Sequence, residues 1–324
     1  MASSYNVFGV RRCVAILSSL AIIPLRYALL LINEHSGKMQ ILLLLASAVF
    51  IKAAVIEKNK EEIKCDGIII GDVYHDIEIL KTDIDRPYLL AVDYSTNTVY
   101  FSYSLNKDDD IFKTAYVNLN TKEFAELQGI NNGFAQTVDQ KSHEIYIGGS
   151  SGIYKYNHKT KTGKHIGAKG NDIWNIYFKD ILYYSTFPDQ FLYTLINGES
   201  SRFKELEDTK VDQFVIDNED IMFFTNATGL FGQKKGSQDA IKYKESSEGI
   251  RGLTTDINGN VYICTADGIF KIEKATVSLD KVLDIDDAFG LAFDNENNIV
   301  YSDATKLVRL KPNKYKTCEI ENQS

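Results

Sequence analysis

Short apolar strands separated by polar turns fill most of the chain. One unit recurs, consisting of an apolar strand, a polar turn with Asp or Asn, and a second apolar strand that carries Tyr or Phe. The copies span Leu89–Ser104, Phe134–Gly149, Trp174–Thr186, Gln213–Ala227, Gly252–Asp267 and Gly290–Ala304. Their aligned aromatic residues are spaced 46, 37, 40, 39 and 39 residues apart, at Tyr100, Tyr146, Tyr183, Phe223, Tyr262 and Tyr301.

Each copy continues into two further strand-like runs, so the repeating unit contains four short strands. Four strands in about 40 residues are typical of a β-propeller blade. No segment shows a sustained 3.6-residue apolar period, which disfavours crossover helices and an α/β fold. We predict an all-β fold, a single six-bladed β-propeller over residues 65–320.

A propeller must close its ring, because otherwise its first and last blades expose unpaired strand edges. The run Cys65–Leu80 precedes the first blade and is predicted to add a strand beside Tyr315–Ile320 in the last one. This pairing would bring Cys65 near Cys318 and predicts a disulfide between them. Cys264 lies in an apolar strand and is predicted to be a small buried hydrophobic residue.

The composition excludes several classes of protein. The 324 residues include 36 Lys and Arg against 44 Asp and Glu, and the net charge is −8. An apolar share of 44% and a charged share of 25% are those of a globular protein. A nucleic-acid-binding protein would show a basic patch or stripe instead, so we expect no nucleic-acid partner.

The N-terminal region differs from the repeats. The apolar run Ile41–Phe50, which begins just after Met39, is too short to cross a bilayer of roughly 30 Å. It matches the apolar core of a secretory signal peptide. We predict a signal peptide over residues 39–54 and interpret 1–38 as an upstream extension of the gene model, with a real membrane anchor as the alternative.

The processed chain is therefore expected to be extracellular and to have no stable membrane association. Asn226-Ala-Thr228 is an N-glycosylation sequon in a predicted turn, which makes Asn226 a candidate glycosylation site.

Motifs that resemble catalytic or metal sites have simpler structural explanations. The G-x-S-x-G pattern at Gly148–Gly152 lies between two strands, whereas a hydrolase nucleophile needs a strand-to-helix elbow. Asp256–Asn260 and Asp294–Asn298 have the composition of calcium loops but lack the Glu and Gly placement of an EF-hand. All three are predicted to be hairpin turns. We assign no catalytic residue, no metal ligand and no cofactor.

The innermost strand of each blade lines the axis of a propeller, so the residues where these strands begin should meet around it. Counting back from each turn acid, with the third blade aligned on its shorter hairpin, selects six residues, which we call the axial cluster: Tyr88, Phe134, Trp174, Asp212, Arg251 and Phe289. Asn171 and Gln213 are weaker candidates nearby.

The types of residue in the axial cluster suit a flat ligand. Its four aromatic side chains could sandwich a conjugated ring system. Arg251 is suited to a carboxylate or sulfate, and Asp212 could accept a hydrogen bond from an amine or phenol. The alternative is that the aromatic side chains simply fill the channel as core.

Two long runs and the signal-peptide region carry a family resemblance. The runs KCDGIIIGDVYHDIEILKTDIDRPYLLAVDYSTNTVYFSYS and NDIWNIYFKDILYYSTFPDQFLYTLINGES, with MQILLLLASAVFIKA at Met39, resemble the insect haemolymph ommochrome-binding proteins. The resemblance covers Met39 to the C-terminus. It implies a secreted haemolymph carrier that binds an ommochrome, a planar phenoxazine-type product of tryptophan metabolism, without catalysis. No ligand-contacting residue is carried over from the family.

Resemblance to other six-bladed propellers provides the alternatives to the carrier function. The blade pattern also resembles the lactonase and strictosidine-synthase group, NHL repeats and YWTD repeats. The lactonase group uses acidic and amide side chains around a divalent metal, whereas Asp212 is the one acid of the axial cluster. A metal-dependent ester or lactone hydrolase is the first alternative, and an adhesion or receptor module that retains its N-terminal segment is the second. The oligomeric state stays open.

Overall fold

The structure, a computed structural model, describes residues 62–106 and 109–321, which form antiparallel sheets joined by short turns. The predicted extension (1–38) and signal peptide (39–54) lie outside the described residues. Three strands precede the first blade: β1 (Glu62–Lys64), β2 (Gly67–Ile70) and β3 (Val73–Thr82). The propeller is the compact unit Lys64–Glu319.

The first three blades are four-stranded sheets with consecutive strands as neighbours. Blade 1 contains β4 (Asp85–Asp93), β5 (Thr98–Asn106), β6 (Asp109–Asn118) and β7 (Phe124–Glu126). Blade 2 contains β8 (Ala135–Asp139), β9 (Glu144–Gly149), β10 (Gly152–Asn157) and β11 (Thr162–Gly167). Blade 3 contains β12 (Asp172–Lys179), β13 (Ile181–Phe187), β14 (Leu192–Ile196) and β15 (Glu199–Arg202).

A short 3₁₀ helix, Lys204–Leu206, leads into the second half of the propeller. Blade 4 contains β16 (Phe214–Ile216), β17 (Ile221–Asn226), β18 (Gly229–Lys234) and β19 (Ala240–Lys244). Blade 5 contains β20 (Ile250–Thr255), β21 (Val261–Thr265), β22 (Gly268–Glu273) and β23 (Ser278–Leu283). Blade 6 contains β24 (Gly290–Phe293), β25 (Ile299–Ser302) and β26 (Lys306–Pro312), to which β3 and then β2 are added.

The innermost strands form a closed ring. In chain order β4, β8, β12, β16, β20 and β24 pack side by side, and β24 contacts β4. The predicted all-β six-bladed propeller is therefore confirmed. All six inner strands run in the same direction along the axis. We call the end where they begin the strand-start end, and the opposite end, where each inner strand turns into the next strand, the hairpin-turn end.

Apolar side chains pack between blades. Six buried clusters each join two neighbouring blades, and one of them lies between the last blade and the first. The repeated aromatic residue of the second strand is buried in five of the six blades, at Tyr100, Tyr146, Tyr183, Phe223 and Tyr301. The period in the sequence therefore reflects one large side chain per blade in these interfaces.

Blade 6 closes the ring with strands from both parts of the chain. The prediction that the run before blade 1 joins the last blade is confirmed, but its predicted neighbour is wrong. Strand β3 pairs with β26, placing Ile77 opposite Leu310 and Ile79 opposite Val308. Val308 and Leu310 are fully buried, whereas Tyr315 is completely exposed and offers no apolar face to a sheet.

The segment beyond Pro312 pairs elsewhere. Strand β27 (Glu319–Glu321) forms a two-stranded sheet with β1. Cys65 and Cys318 form a disulfide with Cα atoms 4.8 Å apart, across 253 residues of chain. Cys264 is a free thiol that is completely buried between blades 5 and 6.

Candidate functional site

The six residues of the axial cluster lie together at the strand-start end. Each is half-buried and sits at or just before the beginning of its blade's inner strand, except Tyr88, which lies within β4. The Tyr88 ring centroid is 5.9 Å from that of Phe134 and 5.6 Å from that of Phe289. Phe134 is 5.0 Å from Trp174. The aromatic members therefore contact one another in an unbroken series.

The polar members of the axial cluster extend the series at both ends. The indole nitrogen of Trp174 donates a hydrogen bond to Asp212 Oδ1. At the other end, the guanidinium carbon of Arg251 lies 4.2 Å from the Phe289 ring centroid, a cation–π distance. Arg251 Nη1 also donates to Asp287 Oδ1 at 2.5 Å. Its charge is therefore already paired within the protein.

Asp212 is in an unusual environment for a carboxylate. Gln190 Nε2 donates to its Oδ1 at 3.1 Å, in addition to the bond from Trp174. Burial raises the pKa of the Asp212 carboxyl above its ordinary value, while the hydrogen bonds from Trp174 and Gln190 oppose that shift.

Two aromatic neighbours were missed in the sequence. Phe112 lies 4.7 Å from Phe134 and 6.0 Å from Tyr88, and Phe187 lies 5.7 Å from Trp174. Both belong to outer strands, β6 and β13, whereas the repeat alignment selected only positions where inner strands begin. A search for aromatic residues in every strand that reaches the same end would have found them.

A cavity of about 430 Å³ lies on the axis between the inner strands. We call it the axial cavity. It extends to the hairpin-turn end, where Tyr94, Lys141 and Ile257 are among its lining residues. The described residues that line it include none of the six members of the axial cluster. The axial cluster and the axial cavity are thus two separate features of one axis.

The wall of the axial cavity combines apolar side chains with uncharged polar ones. The polar side chains include those of Gln136, Asn175 and Thr254. The side chains of Asn175 and Thr254 make no hydrogen bond to another described residue. The lining residues that carry a formal charge lie in or beside the hairpin turns: Asp139, Lys141, Lys179, Asp180 and Asp256.

Gln136 connects the cavity wall to the axial cluster. Its amide nitrogen donates to the carbonyl oxygen of Tyr88 at 3.0 Å and also to that of Leu89. Leu89 has a φ of 48° and Arg86 a φ of 46°, a left-handed conformation that bulky residues rarely adopt. The amide of Gln136 therefore fixes an irregular segment of β4 that carries Tyr88.

Hydrogen bonds between successive turns surround the mouth of the cavity, and we call them the turn belt. They are Gln140 Nε2 to Val92 O (2.6 Å), Lys141 Nζ to Asp180 Oδ1 (2.8 Å), Lys179 Nζ to Asp217 O, Asn218 Nδ2 to Asn258 O (2.7 Å), Ile257 N to Asn297 Oδ1 (3.2 Å) and Asn295 N to Asn97 Oδ1 (3.4 Å). Each of the six blade junctions contributes at least one, so the mouth is held around its whole circumference.

The turn acids Asp256 and Asp294 each accept backbone hydrogen bonds within their own turn. Asp256 Oδ1 accepts from the backbone nitrogens of Asn258 (2.9 Å) and Asn260 (2.8 Å), and Asp294 does the same with Glu296 and Asn298. The hairpin turns predicted at these two sites are confirmed, as is the one at Gly148–Gly152, which joins β9 to β10. Within residues 62–106 and 109–321, no group of three or more His, Cys, Asp and Glu side chains could hold a metal ion.

The sequon lies at the strand-start end. Asn226 ends β17, and its Oδ1 accepts from the backbone nitrogen of Thr228 at 2.9 Å and from its hydroxyl at 2.7 Å. Thr225, one residue earlier, accepts a hydrogen bond from the backbone nitrogen of Asp212 at 2.8 Å. The candidate glycosylation site is therefore next to the axial cluster. In the described ranges, no helix is long and apolar enough to span a membrane.

Fold and cavity together define a six-bladed β-propeller with a cavity of small-molecule size on its axis. The structure is similar to a gluconolactonase from Xanthomonas campestris, with a TM-score of 0.59 and 12% identity, covering 78% of this chain and 96% of that one. It is also similar to the WD40 β-propeller domain of Doa1, with a TM-score of 0.52 and 11% identity, covering 75% of this chain and 98% of that one. At such identities the likeness shows the fold alone.

The sequence comparison is more specific. No family model matches the chain. It is 30% identical over 253 residues to the ommochrome-binding protein of Manduca sexta, covering 76% of this chain and 91% of that protein. The chain belongs to the ommochrome-binding protein family.

Proposed function

We propose that this protein is a non-catalytic carrier that binds an ommochrome pigment on the propeller axis. The observation that carries the proposal is the similarity to the Manduca sexta protein, whose name states the ligand class. The axial cavity supports it, because about 430 Å³ is within the range of small-molecule sites. A flat tryptophan-derived pigment of the phenoxazine type would suit a wall that combines apolar surface with hydrogen-bonding groups.

A spectrophotometric titration with xanthommatin tests this function. Trp174 is the only tryptophan, so its fluorescence reports on the axis while the visible band reports on the pigment. We expect saturable one-to-one binding and no chemical change in the recovered pigment. An absence of saturable binding, or turnover of the pigment, would contradict the carrier.

The hydrolase is the second candidate, because a gluconolactonase shares the fold. It would hydrolyse esters or lactones and lose that activity on treatment with a chelator. Metal analysis of the purified protein and a lactone assay with and without EDTA therefore separate the two candidates.

The six members of the axial cluster stay a prediction as pigment contacts. If the pigment stacks on them, Trp174→Ala weakens binding by roughly 1–3 kcal/mol, a typical loss for an aromatic stacking platform. Arg251→Ala would then selectively weaken the binding of acidic pigments. Equal losses for acidic and neutral pigments would contradict that role of Arg251.

We also propose that the carrier is secreted into the haemolymph of an insect and glycosylated at Asn226. The disulfide supports an oxidising compartment, where such bonds form and persist. Expression in insect cells should release a protein without residues 39–54, and N-glycosidase should reduce its mass. An Asn226→Gln variant with the same glycosidase response would contradict the assignment of that site.

A further inference from the structure

We infer that the pigment enters from the hairpin-turn end and occupies the axial cavity, with the axial cluster as its closed floor. This inference rests on the proposed carrier function and assigns the position and orientation of its ligand. It departs from the sequence-based prediction, which placed the ligand at the axial cluster itself.

The packing of the axial cluster is the first argument. Centroid distances of 5.0–5.9 Å between successive aromatic rings are those of side chains in contact. A flat ligand inserted between two such rings would need them to move apart by about another 3.5 Å, the contact distance of carbon atoms. The members are also restrained by Gln136 behind Tyr88 and by Asp212 beside Trp174.

The wall of the cavity is the second argument. Asn175 is 9% exposed, lines the cavity, and its side-chain amide makes no hydrogen bond to another described residue. Buried polar groups are nearly always hydrogen-bonded, so this amide points to a polar group on a ligand. Gln136 also lines the cavity, and its buried amide oxygen has no hydrogen-bond partner among the described residues. The site therefore suits a flat molecule that has apolar faces and several hydrogen-bonding groups.

The charged residues of the cavity wall determine the orientation of the ligand. The charged lining residues lie at the hairpin turns, and Lys141 and Asp180 there are both largely exposed. Burying a charge in the apolar part of the cavity would be costly. The ring system of the ligand therefore lies inside, and its charged substituents stay at the mouth in contact with water.

Site-specific labelling at the two ends tests the direction. Ile257 lines the cavity at the hairpin-turn end and is 41% exposed, while Phe187 at the strand-start end is 53% exposed. Each is replaced in turn by cysteine and labelled with a bulky maleimide. In the processed chain, which lacks Cys13, Cys65 and Cys318 are bonded and burial raises the pKa of the Cys264 thiol to about 12, so the new thiol is the reactive one.

The comparison is between labelled and unlabelled protein of the same variant. Labelling Ile257→Cys should weaken xanthommatin binding at least about tenfold, whereas labelling Phe187→Cys should change it less than about twofold. The reverse pattern, or equal effects at both ends, would overturn the inference while leaving the carrier function intact. A wild-type protein that fails to bind xanthommatin overturns the carrier function and the inference with it.

A second variant tests the cavity itself. Thr254→Phe fills the axial cavity with a larger side chain and should abolish pigment binding, while Trp174→Ala at the floor should weaken it less than about twofold, because the floor does not line the cavity. Full affinity in a folded Thr254→Phe protein would overturn the assignment. A variant that does not fold is identified by its lost melting transition, and the labelling comparison then decides alone.

Discussion

Arg309 donates a hydrogen bond from Nη2 to the carbonyl oxygen of Leu119, 2.8 Å away and 190 residues earlier in the chain. This bond crosses from blade 6 to blade 1 where the ring closes. The same guanidinium donates from Nε to Glu78 Oε2 at 2.8 Å and lies 3.3 Å from Asp294 Oδ2. Arg309 is 3% exposed, so the closure of the propeller depends on a buried charge network.

Breaking this network should destabilise the fold strongly. Arg309→Met leaves the carboxylates of Glu78 and Asp294 without their guanidinium, and the loss of one partner of a buried ion pair costs about 3–5 kcal/mol. Urea unfolding measures the change. As a control, Lys242→Met removes an exposed pair with Glu245 and should cost no more than about 1 kcal/mol. Similar losses of unfolding free energy in both variants would show that the network stabilises the fold no more than an exposed ion pair does.

The disulfide should stabilise the closed ring. Cys65→Ser frees the segment before β2 from Cys318 and is expected to lower the free energy of unfolding by about 2–4 kcal/mol. Denaturant titrations of the variant, the oxidised wild type and the reduced wild type provide the measurement. The variant and the reduced wild type should agree. Unfolding of Cys65→Ser at the same midpoint as oxidised wild type would refute the prediction.

Asp212 should make stability depend on pH. Its pKa is higher in the folded state than in the unfolded state, since burial disfavours the charge. The resulting stabilisation is fully present below the unfolded value of about 3.9 and is lost as the pH rises through the folded value.

Asp212→Asn removes this titration, and its amide oxygen can still accept from Trp174 and Gln190. The stability of the variant relative to wild type should therefore rise as the pH increases from about 4 towards neutrality. Unfolding free energies of both proteins across that range measure the difference. If the stability of the variant relative to wild type falls as the pH rises, the predicted direction of the Asp212 pKa shift is wrong.

Gln136 should be needed for the geometry of β4. Gln136→Leu leaves the carbonyl oxygens of Tyr88 and Leu89 without its donor, which should cost about 1–3 kcal/mol. Gln128 is exposed, and Gln128→Leu should change stability by no more than about 0.5 kcal/mol. Thermal melts of the two variants, compared with wild type, distinguish them, and matching melts would contradict the role of Gln136.

The fold could be predicted from the sequence because one interface position repeats. Tyr100 and Phe223 occupy equivalent places between different blades, so a single large residue per period was visible without a structure. The strand that pairs with β3 could not be predicted from the sequence. The alternating apolar residues Ile77 and Ile79 do not select it, because they stay 42% and 49% exposed opposite the buried Leu310 and Val308.

The site could be predicted in part. Aligning the repeats brought Tyr88, Phe134 and Trp174 together, because equivalent positions in a closed ring meet on the axis. The axial cavity could not be predicted, since its volume is what remains after the inner strands have packed. The conformation of Leu89 could not be predicted either, because neither composition nor residue spacing indicates a positive φ at a leucine.

The construction of blade 6 also bears on how the chain is synthesised. While the protein emerges from the ribosome, β2 and β3 can pair with each other, but the other edge of β3 has no partner until β26 has been made, more than 220 residues later. Five blades can be complete by then, with a free strand edge on either side of the gap, and such edges invite pairing with other chains. A nascent polypeptide interrupted before Lys306 is therefore a candidate for chaperone capture and degradation rather than a smaller folded protein.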